Sequence, residues 1–301
     1  MLLVLTGSGD GTADLIFGKL KTKAFRLNLD TFAEYDVSVQ PNFWSIRNPT
    51  GLEINSNTAT GAWWWKATNY FAHDEKYIAE EVKYIFREIY SWFKLNGKPI
   101  KGNSPDYHRY MGKISILAIA QNHFNCPNTW VGWGFKEMPG LAKHGRVVAK
   151  SLTSGLVTED KVMFTTEITG KKLAPQFPWY IQDLVESNAD VTVFIVGHKL
   201  FAFERDRTKL KGLDWRAEQN FENPNDEWNF IELPSKAESS IFAFCKDLNV
   251  NWGRLDFMRH LNDLVFLEYN ANGQWVFLDY ENKYGLVDAV CEYLVASKTS
   301  M

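Results

Sequence analysis

The sequence predicts an α/β protein in which a parallel α/β lobe precedes lobes of antiparallel sheet, and three observations predict it. Residues 2–5 form an apolar run, a glycine-rich turn follows at 7–11, residues 12–21 carry Ala13, Ile16, Phe17 and Leu20 at helical spacing, and 24–29 reads as a second strand. Strand, helix, strand in immediate succession is the signature of a parallel unit. From Asp74, Ile78, Val82, Ile85, Ile89 and Trp92 recur at steps of three and four with Glu and Lys between them, which predicts a long amphipathic helix that Asn96-Gly97 ends. Towards the C-terminus WGRLDFM and DLVFLEYN, two runs rich in aromatic and branched residues, flank the polar segment RHLND and predict a hairpin with acids in its interior.

The intervening chain is taken in order. Trp63, Trp64 and Trp65 place rings on both faces of a strand, a pattern that serves a lobe interface or, alternatively, a platform for a ligand. The Gly- and Pro-rich stretch 96–103 marks a lobe boundary, and Ser104-Pro105 opens a helix to about residue 122 that carries Lys113. Short strands follow at 129–133 and 146–150, another spans 162–169, and residues 179–185 form a strand after Pro175 and Pro178. Residues 191–196 and 200–204 make a hairpin whose turn holds His198, a solvent-exposed position. Residues 217–235 read as a loop or lid, 236–248 as a helix, and 286–295 as a closing helix that turns Val287, Val290, Cys291 and Leu294 inward. The expected division is 1–102, 103–180 and 181–301.

Composition bounds the function. A chain of 301 residues with 45% hydrophobic and 15% aromatic residues buries a large core. A net charge of −3 gives no general attraction for nucleic acid. Cys126, Cys245 and Cys291 follow neither metal nor disulfide spacing and are read as buried thiols in a reducing, cytoplasmic setting. No stretch approaches the roughly 20 apolar residues of a membrane helix, and MLLVLT, lacking a preceding basic residue, is no signal core.

Several side chains point to chemistry. Asp256 lies inside the first run of the hairpin, and Glu268 and Asn270, two apart in the second, share a strand face. Two carboxylates and an amide oxygen on neighbouring strands suit a hard cation with phosphates, although acids on a strand also simply face water. Lys150 ends the apolar run RVVAK just before a Ser/Thr/Gly loop, which fits either an anion or an amine reaching solvent. Arg205, Arg207, Lys209, Lys211 and Arg216 form a basic segment that could bind phosphate or carboxylate, or be an ordinary charged loop. The turn at Gly7, Gly9 and Gly11 matches neither the dinucleotide nor the phosphate-loop motif and is read as structural.

In order, LLVLTGSGDGTADLIFGKL with FRLNLDTF, Lys113, Lys150, WYIQDLVES, LDWR, GRLDFM and FLEYNANGQW resemble the ATP-grasp ligases over the whole chain. The match is to the ribosomal peptide maturases of the microviridin (graspetide) type. The resemblance implies a pre-ATP-grasp lobe and two lobes enclosing ATP. It implies that Lys113 and Lys150 hold phosphates, that Gln182, Asp183 and Leu184 form the adenine hinge with Glu186 or Asp190 near the ribose, and that Arg216 binds the transferring phosphate. It also implies that Asp256, Glu268 and Asn270 hold magnesium, with a ribosomal precursor peptide as substrate and a homodimer as a possible assembly. The activity implied is ATP- and magnesium-dependent closure of ester or amide cross-links in a peptide. Addition of an amino acid by a glutathione-synthetase-like or ribosomal-modification-like ligase is the alternative, and a non-catalytic ATP- or peptide-binding protein a further one. The chain departs from the family at Thr192, where an Arg is usual in the strand after the hinge, at Ala271 in place of Pro, and at Lys66, which replaces a pair of Arg.

Overall fold

The computed structural model describes residues 1–67, 75–102, 111–143, 145–153, 156–158, 161–162, 164–208, 210, 212–214, 228–261 and 263–296. β1 (Leu2–Thr6), α1 (Gly11–Lys19) and β2 (Ala24–Asn28) form the opening parallel unit that the sequence predicts. Asp10 sets where α1 begins: its carboxylate accepts from the Ala13 N–H at 2.9 Å, the usual duty of an acidic N-cap. A small antiparallel sheet of β3 (Asp36–Gln40), β4 (Phe43–Arg47) and β5 (Glu53–Asn55) follows. β6 (Gly61–Trp64) and β7 (Ile100–Gly102) then extend the parallel sheet to the order β2-β1-β6-β7.

The three tryptophans divide by strand alternation. Trp64 faces α2 (Lys76–Leu95) and meets Tyr90 edge-on at 5.3 Å. Trp63 and Trp65, on the other face, stack at 5.4 Å and both meet Trp252 of the C-terminal sheet. The lobe-interface reading therefore holds, and aromatic pairs of this kind add about 0.5–1.5 kcal/mol each beyond their buried area. Along α2 the buried residues are Ala79, Phe86, Ile89, Tyr90 and Phe93, whereas Ile85 is exposed, so the inward stripe is rotated from the expected one. The three thiols also differ: Cys245 is buried, while Cys126 and Cys291 are half-buried.

α3 (Lys113–Ala120) begins later than expected. Gly112 is extended, with φ −99° and ψ 161°, and residues 103–110, where Ser104 and Pro105 fall, lie outside the described residues. β8 (Thr129–Gly132), β9 (Val147–Lys150), β10 (Leu156–Thr158), β11 (Lys161–Val162), β12 (Thr166–Glu167) and β13 (Trp179–Asp183) come next. The single strand expected over 162–169 is thus two short ones: β11 pairs with β10, and β12 with β9. The central antiparallel sheet runs β12-β9-β13-β8.

β14 (Ala189–Val196), β15 (Lys199–Asp206), β16 (Asn229–Ile231), β17 (Trp252–His260) and β18 (Asp263–Asn270) form an antiparallel sheet ordered β16-β15-β14-β17-β18. The hairpin turn is tighter than RHLND suggested, because Arg259 and His260 belong to β17 and Asp263 to β18. α3 and α4 (Ser235–Asp247) cover one face of this sheet. α5 (Leu286–Val295) covers the other together with Trp275, Trp63 and Trp65. Among the described residues no helix is long and apolar enough to cross a membrane.

Lys101 on β7 is an anomaly in this core. It is 1% exposed, its Nζ has no hydrogen-bond partner among the described residues, and it lies 4.6 Å from the Tyr293 ring centroid. Burial holds its pKa below the ordinary lysine value. A lysine depressed in the folded state binds fewer protons there than when unfolded, so its penalty is full at neutral pH and fades as pH climbs towards 10.5. Lys101→Met is expected to raise stability by about 1 kcal/mol, the desolvation cost less the cation–π gain. Chemical denaturation at pH 7 and above pH 10 checks this, since the gain should shrink at the higher pH.

Candidate functional site

Lys150 ends β9, and the antiparallel register sets it opposite Tyr180 on β13. Its Nζ donates to Gln182 Oε1 at 2.7 Å, and Gln182, only 1% exposed, donates from Nε2 to Thr129 Oγ1 at 3.0 Å. That chain of bonds fixes the amine at the cavity wall. Lys113, at the first turn of α3, reaches the same cavity, donates to the Ser151 carbonyl at 3.1 Å and lies 3.4 Å from Glu268 Oε2. Beneath it the Tyr180 ring lies 5.5 Å away, and burial, with the charge of Glu268, pushes the Tyr180 hydroxyl well above the usual phenol range. Tyr180 is thus a buried, neutral ring against Lys113.

Register brings the two carboxylates together. Asp256 on β17 pairs directly with Glu268 on β18, and a bulge follows in which Phe257 pairs with Phe266, leaving Leu267 as the extra residue. Asp256 is held firmly: Thr192 Oγ1 donates to Oδ1 at 2.8 Å, and Arg254 donates to both oxygens at 2.9 and 3.0 Å. Each carboxylate therefore carries an internal cation, Arg254 on Asp256 and Lys113 on Glu268. Asp256 Oδ2 accepts a single bond among the described residues, so it retains a lone pair for a metal. No group of three or more His, Cys, Asp or Glu that could hold a metal occurs among the described residues. The pair nevertheless fits magnesium, which needs one or two carboxylates and takes its remaining oxygens from phosphate and water.

Other expected positions fare differently. Asp183, Leu184 and Val185 line the cavity at the strand end, with Asn128 donating to the Asp183 carboxylate at 2.7 Å and the Leu184 N–H bonded to the Arg146 carbonyl at 2.8 Å. Asp190 lines it too, but both its oxygens accept from Arg207 Nη1 at 2.8 Å. Glu186 is exposed and absent from the lining, 3.8 Å from Arg146. Asn270 ends β18 outside the lining, its backbone carbonyl accepting from the Gly273 N–H. Arg216, Lys209 and Lys211 lie outside the described residues. Within the basic segment Arg205 is buried and Arg207 is spent on Asp190, so neither is a free surface cation.

Arg254 was not singled out by the sequence, although its signal is there: Arg and Asp two apart in GRLDFM share one strand face. None of the three thiols is poised as a nucleophile. Burial pushes the Cys126 thiol up to about 11 and that of Cys245 to about 12, and raises that of Cys291.

Solved structures share this arrangement of lobes. An ATP-grasp ligase of Chryseobacterium gregarium associated with ribosomal peptide modification, solved with ADP and a leader and core peptide, superposes with a TM-score of 0.78 at 21% identity, over 97% of this chain and 96% of that one. The macrocyclase MdnC of Microcystis aeruginosa, bound to the precursor peptide MdnA, gives 0.78 at 19% identity over 98% and 99%. The ATP-grasp ligase PsnB, with a minimal precursor, magnesium and ADP, gives 0.67 at 13% identity over 98% and 97%. No protein-family model matches the sequence, and no curated protein matches it either.

Proposed function

From the ATP-grasp fold, which the chain adopts with its pre-ATP-grasp lobe and two ATP-grasp lobes, we propose that this protein is an ATP- and magnesium-dependent ligase. In this reading it activates side-chain carboxylates of a peptide and closes intramolecular ester or amide cross-links. One observation carries the reading: Lys150 with Gln182, and Lys113 with the Asp256–Glu268 pair, face a single cavity. The whole-length likeness to solved structures holding nucleotide and peptide supports it.

The chain's residues divide the work by charge. Asp183, Leu184 and Val185 line the strand end at which an adenine would lie, the N–H groups of the first two being bonded to backbone carbonyls, and Gln182 is better read as the support of Lys150 than as an adenine contact. Lys150 and Lys113 set ammonium groups against the triphosphate from two elements. Asp256 and Glu268 would hold magnesium, which when bound screens the phosphate charges. A substrate carboxylate oxygen attacks the γ-phosphorus, the bond to the β–γ bridging oxygen breaks, and ADP leaves with the electron pair. An amine or hydroxyl of the same peptide then displaces phosphate from the acyl phosphate and gives up its proton. Arg216 retains its proposed part as a ligand of the transferring phosphoryl group. A reducing cytoplasm suits the free thiols, and a precursor peptide is the proposed partner.

The test is mass spectrometry of precursor-type peptides incubated with the protein, ATP and magnesium. The expected product is lighter by one water per cross-link, with equal ADP and phosphate released. A mass gain of one amino acid would support the amino-acid-adding ligase instead, and nucleotide binding without any peptide turnover would support the non-catalytic reading.

A further inference from the structure

We propose that Lys66 and Arg254 form a carboxylate-binding subsite, the seat of the side-chain carboxylate to be phosphorylated. The inference rests on the ligase reading above and names the group that meets the γ-phosphate.

Arg254 is a receptor with capacity to spare. Its Nε and Nη2 donate to Asp256, and Nη1 donates to the Gln274 carbonyl at 2.8 Å. Three of five guanidinium N–H groups are used that way, so two remain without a partner among the described residues on a group that lines the cavity. The bonds to Asp256 and Gln274 fix the plane of the guanidinium, and a fixed plane with two free donors suits a carboxylate.

Lys66 supplies the second cation from the N-terminal lobe. Its backbone is left-handed, with φ +55°, a conformation that costs a side-chain-bearing residue about 1–2 kcal/mol. The kink comes directly after the tryptophan strand, and the amine lies 5.0 Å over the Trp65 ring. The side chain is half-buried and has no hydrogen-bond or ion-pair partner among the described residues. Burial is the main influence and lowers its pKa; the charge of Asp10 opposes that, and the charge of Arg254, a weaker influence than Asp10, lowers it further. Asp10 is itself engaged by the Ala13 N–H and the Trp65 indole.

Packing joins the two segments that carry these cations. Trp65 precedes Lys66, Trp252 lies two residues before Arg254, and these rings meet at 6.0 Å. Thr12 Oγ1 donates to Gln274 Oε1 at 3.1 Å and ties the start of α1 to the segment that holds Arg254. Like charges held beside each other in a partly dry site are unfavourable until an anion enters between them. Lys113 and Lys150 already serve the nucleotide, so the anion at Lys66 is the second substrate.

The test uses wild type, Lys66→Met and Lys66→Arg, with N-acetylglutamate methylamide as the probe and N-acetylglutamine methylamide as its neutral control. Calorimetry measures Mg·ADP binding, and saturation-transfer NMR measures probe binding with and without nucleotide. Lys66→Met is expected to bind Mg·ADP as wild type does and to bind the glutamate probe at least about tenfold more weakly, with Lys66→Arg restoring it and the glutamine control not binding. Equal probe binding by Lys66→Met and wild type, or no probe binding by wild type, overturns the subsite. Loss of Mg·ADP affinity in Lys66→Met alone assigns Lys66 to the nucleotide and also overturns it. Wild type that binds no Mg·ADP overturns the ligase reading, and Lys66-dependent binding of the probe without nucleotide still decides the subsite.

Discussion

Glu268→Gln is expected to reduce magnesium-dependent turnover by about 10²–10³-fold while leaving the fold intact. The substitution keeps the shape of the side chain and removes the charge that a hard cation needs. Its cost to stability is small: the Lys113–Glu268 pair is 32% and 38% exposed, and such pairs contribute about 0–1 kcal/mol. Asp256→Asn is a poorer test, because it would leave Arg254 without the carboxylate that it grips with two bonds. Turnover with a precursor-type peptide, beside an unchanged thermal midpoint, is the measurement. Turnover at the wild-type level would remove Glu268 from the metal site.

Arg207→Met is expected to cost about 3–5 kcal/mol, the largest single effect on stability foreseen for this chain. Arg207 and Asp190 are each 9% exposed and bonded through both carboxylate oxygens, and Arg207 Nη2 also ties down the Leu213 carbonyl at 2.8 Å. Removing the cation strands a buried carboxylate whose pKa burial already raises. A carboxyl raised in the folded state binds more protons there than when unfolded. Its stabilising contribution is present below the unfolded value of 3.8 and is lost as pH rises through the folded value. The deficit of Arg207→Met should therefore shrink on acidification from neutrality. Urea denaturation at two pH values measures it, and Arg207→Met with Asp190→Leu should recover most of the loss by removing the stranded charge. A single variant within about 1 kcal/mol of wild type would show that the pair is not desolvated as the structure has it.

The parts legible in the sequence were those with a local cause. The parallel unit at the N-terminus follows from apolar runs on either side of a glycine-rich turn, and the hairpin acids from strand alternation. The division of Trp63 and Trp65 from Trp64 is the same alternation read on β6. What was not legible depended on partners distant in sequence. Arg207 looked like a surface cation because Asp190 lies on another strand, and Thr192 looked like a lost cation because Asp256, its hydrogen-bond partner, is 64 residues away. Arg254 supplies a guanidinium on the neighbouring strand, two pairs along from Thr192 in the β14–β17 ladder. The late start of α3 was missed for a different reason. The apolar positions 111, 114, 117 and 118 keep a helical rhythm through Gly112, and nothing in that rhythm marks its extended conformation.

The most direct test of the central claim, that the Lys113–Lys150–Glu268 cavity is a magnesium-dependent nucleotide site, is calorimetric titration of wild type and Glu268→Gln with ADP, with magnesium present and absent. Wild type should bind ADP at least about tenfold more tightly with magnesium, and Glu268→Gln should lose that difference. Magnesium-independent binding, or a magnesium effect of equal size in both proteins, would contradict it.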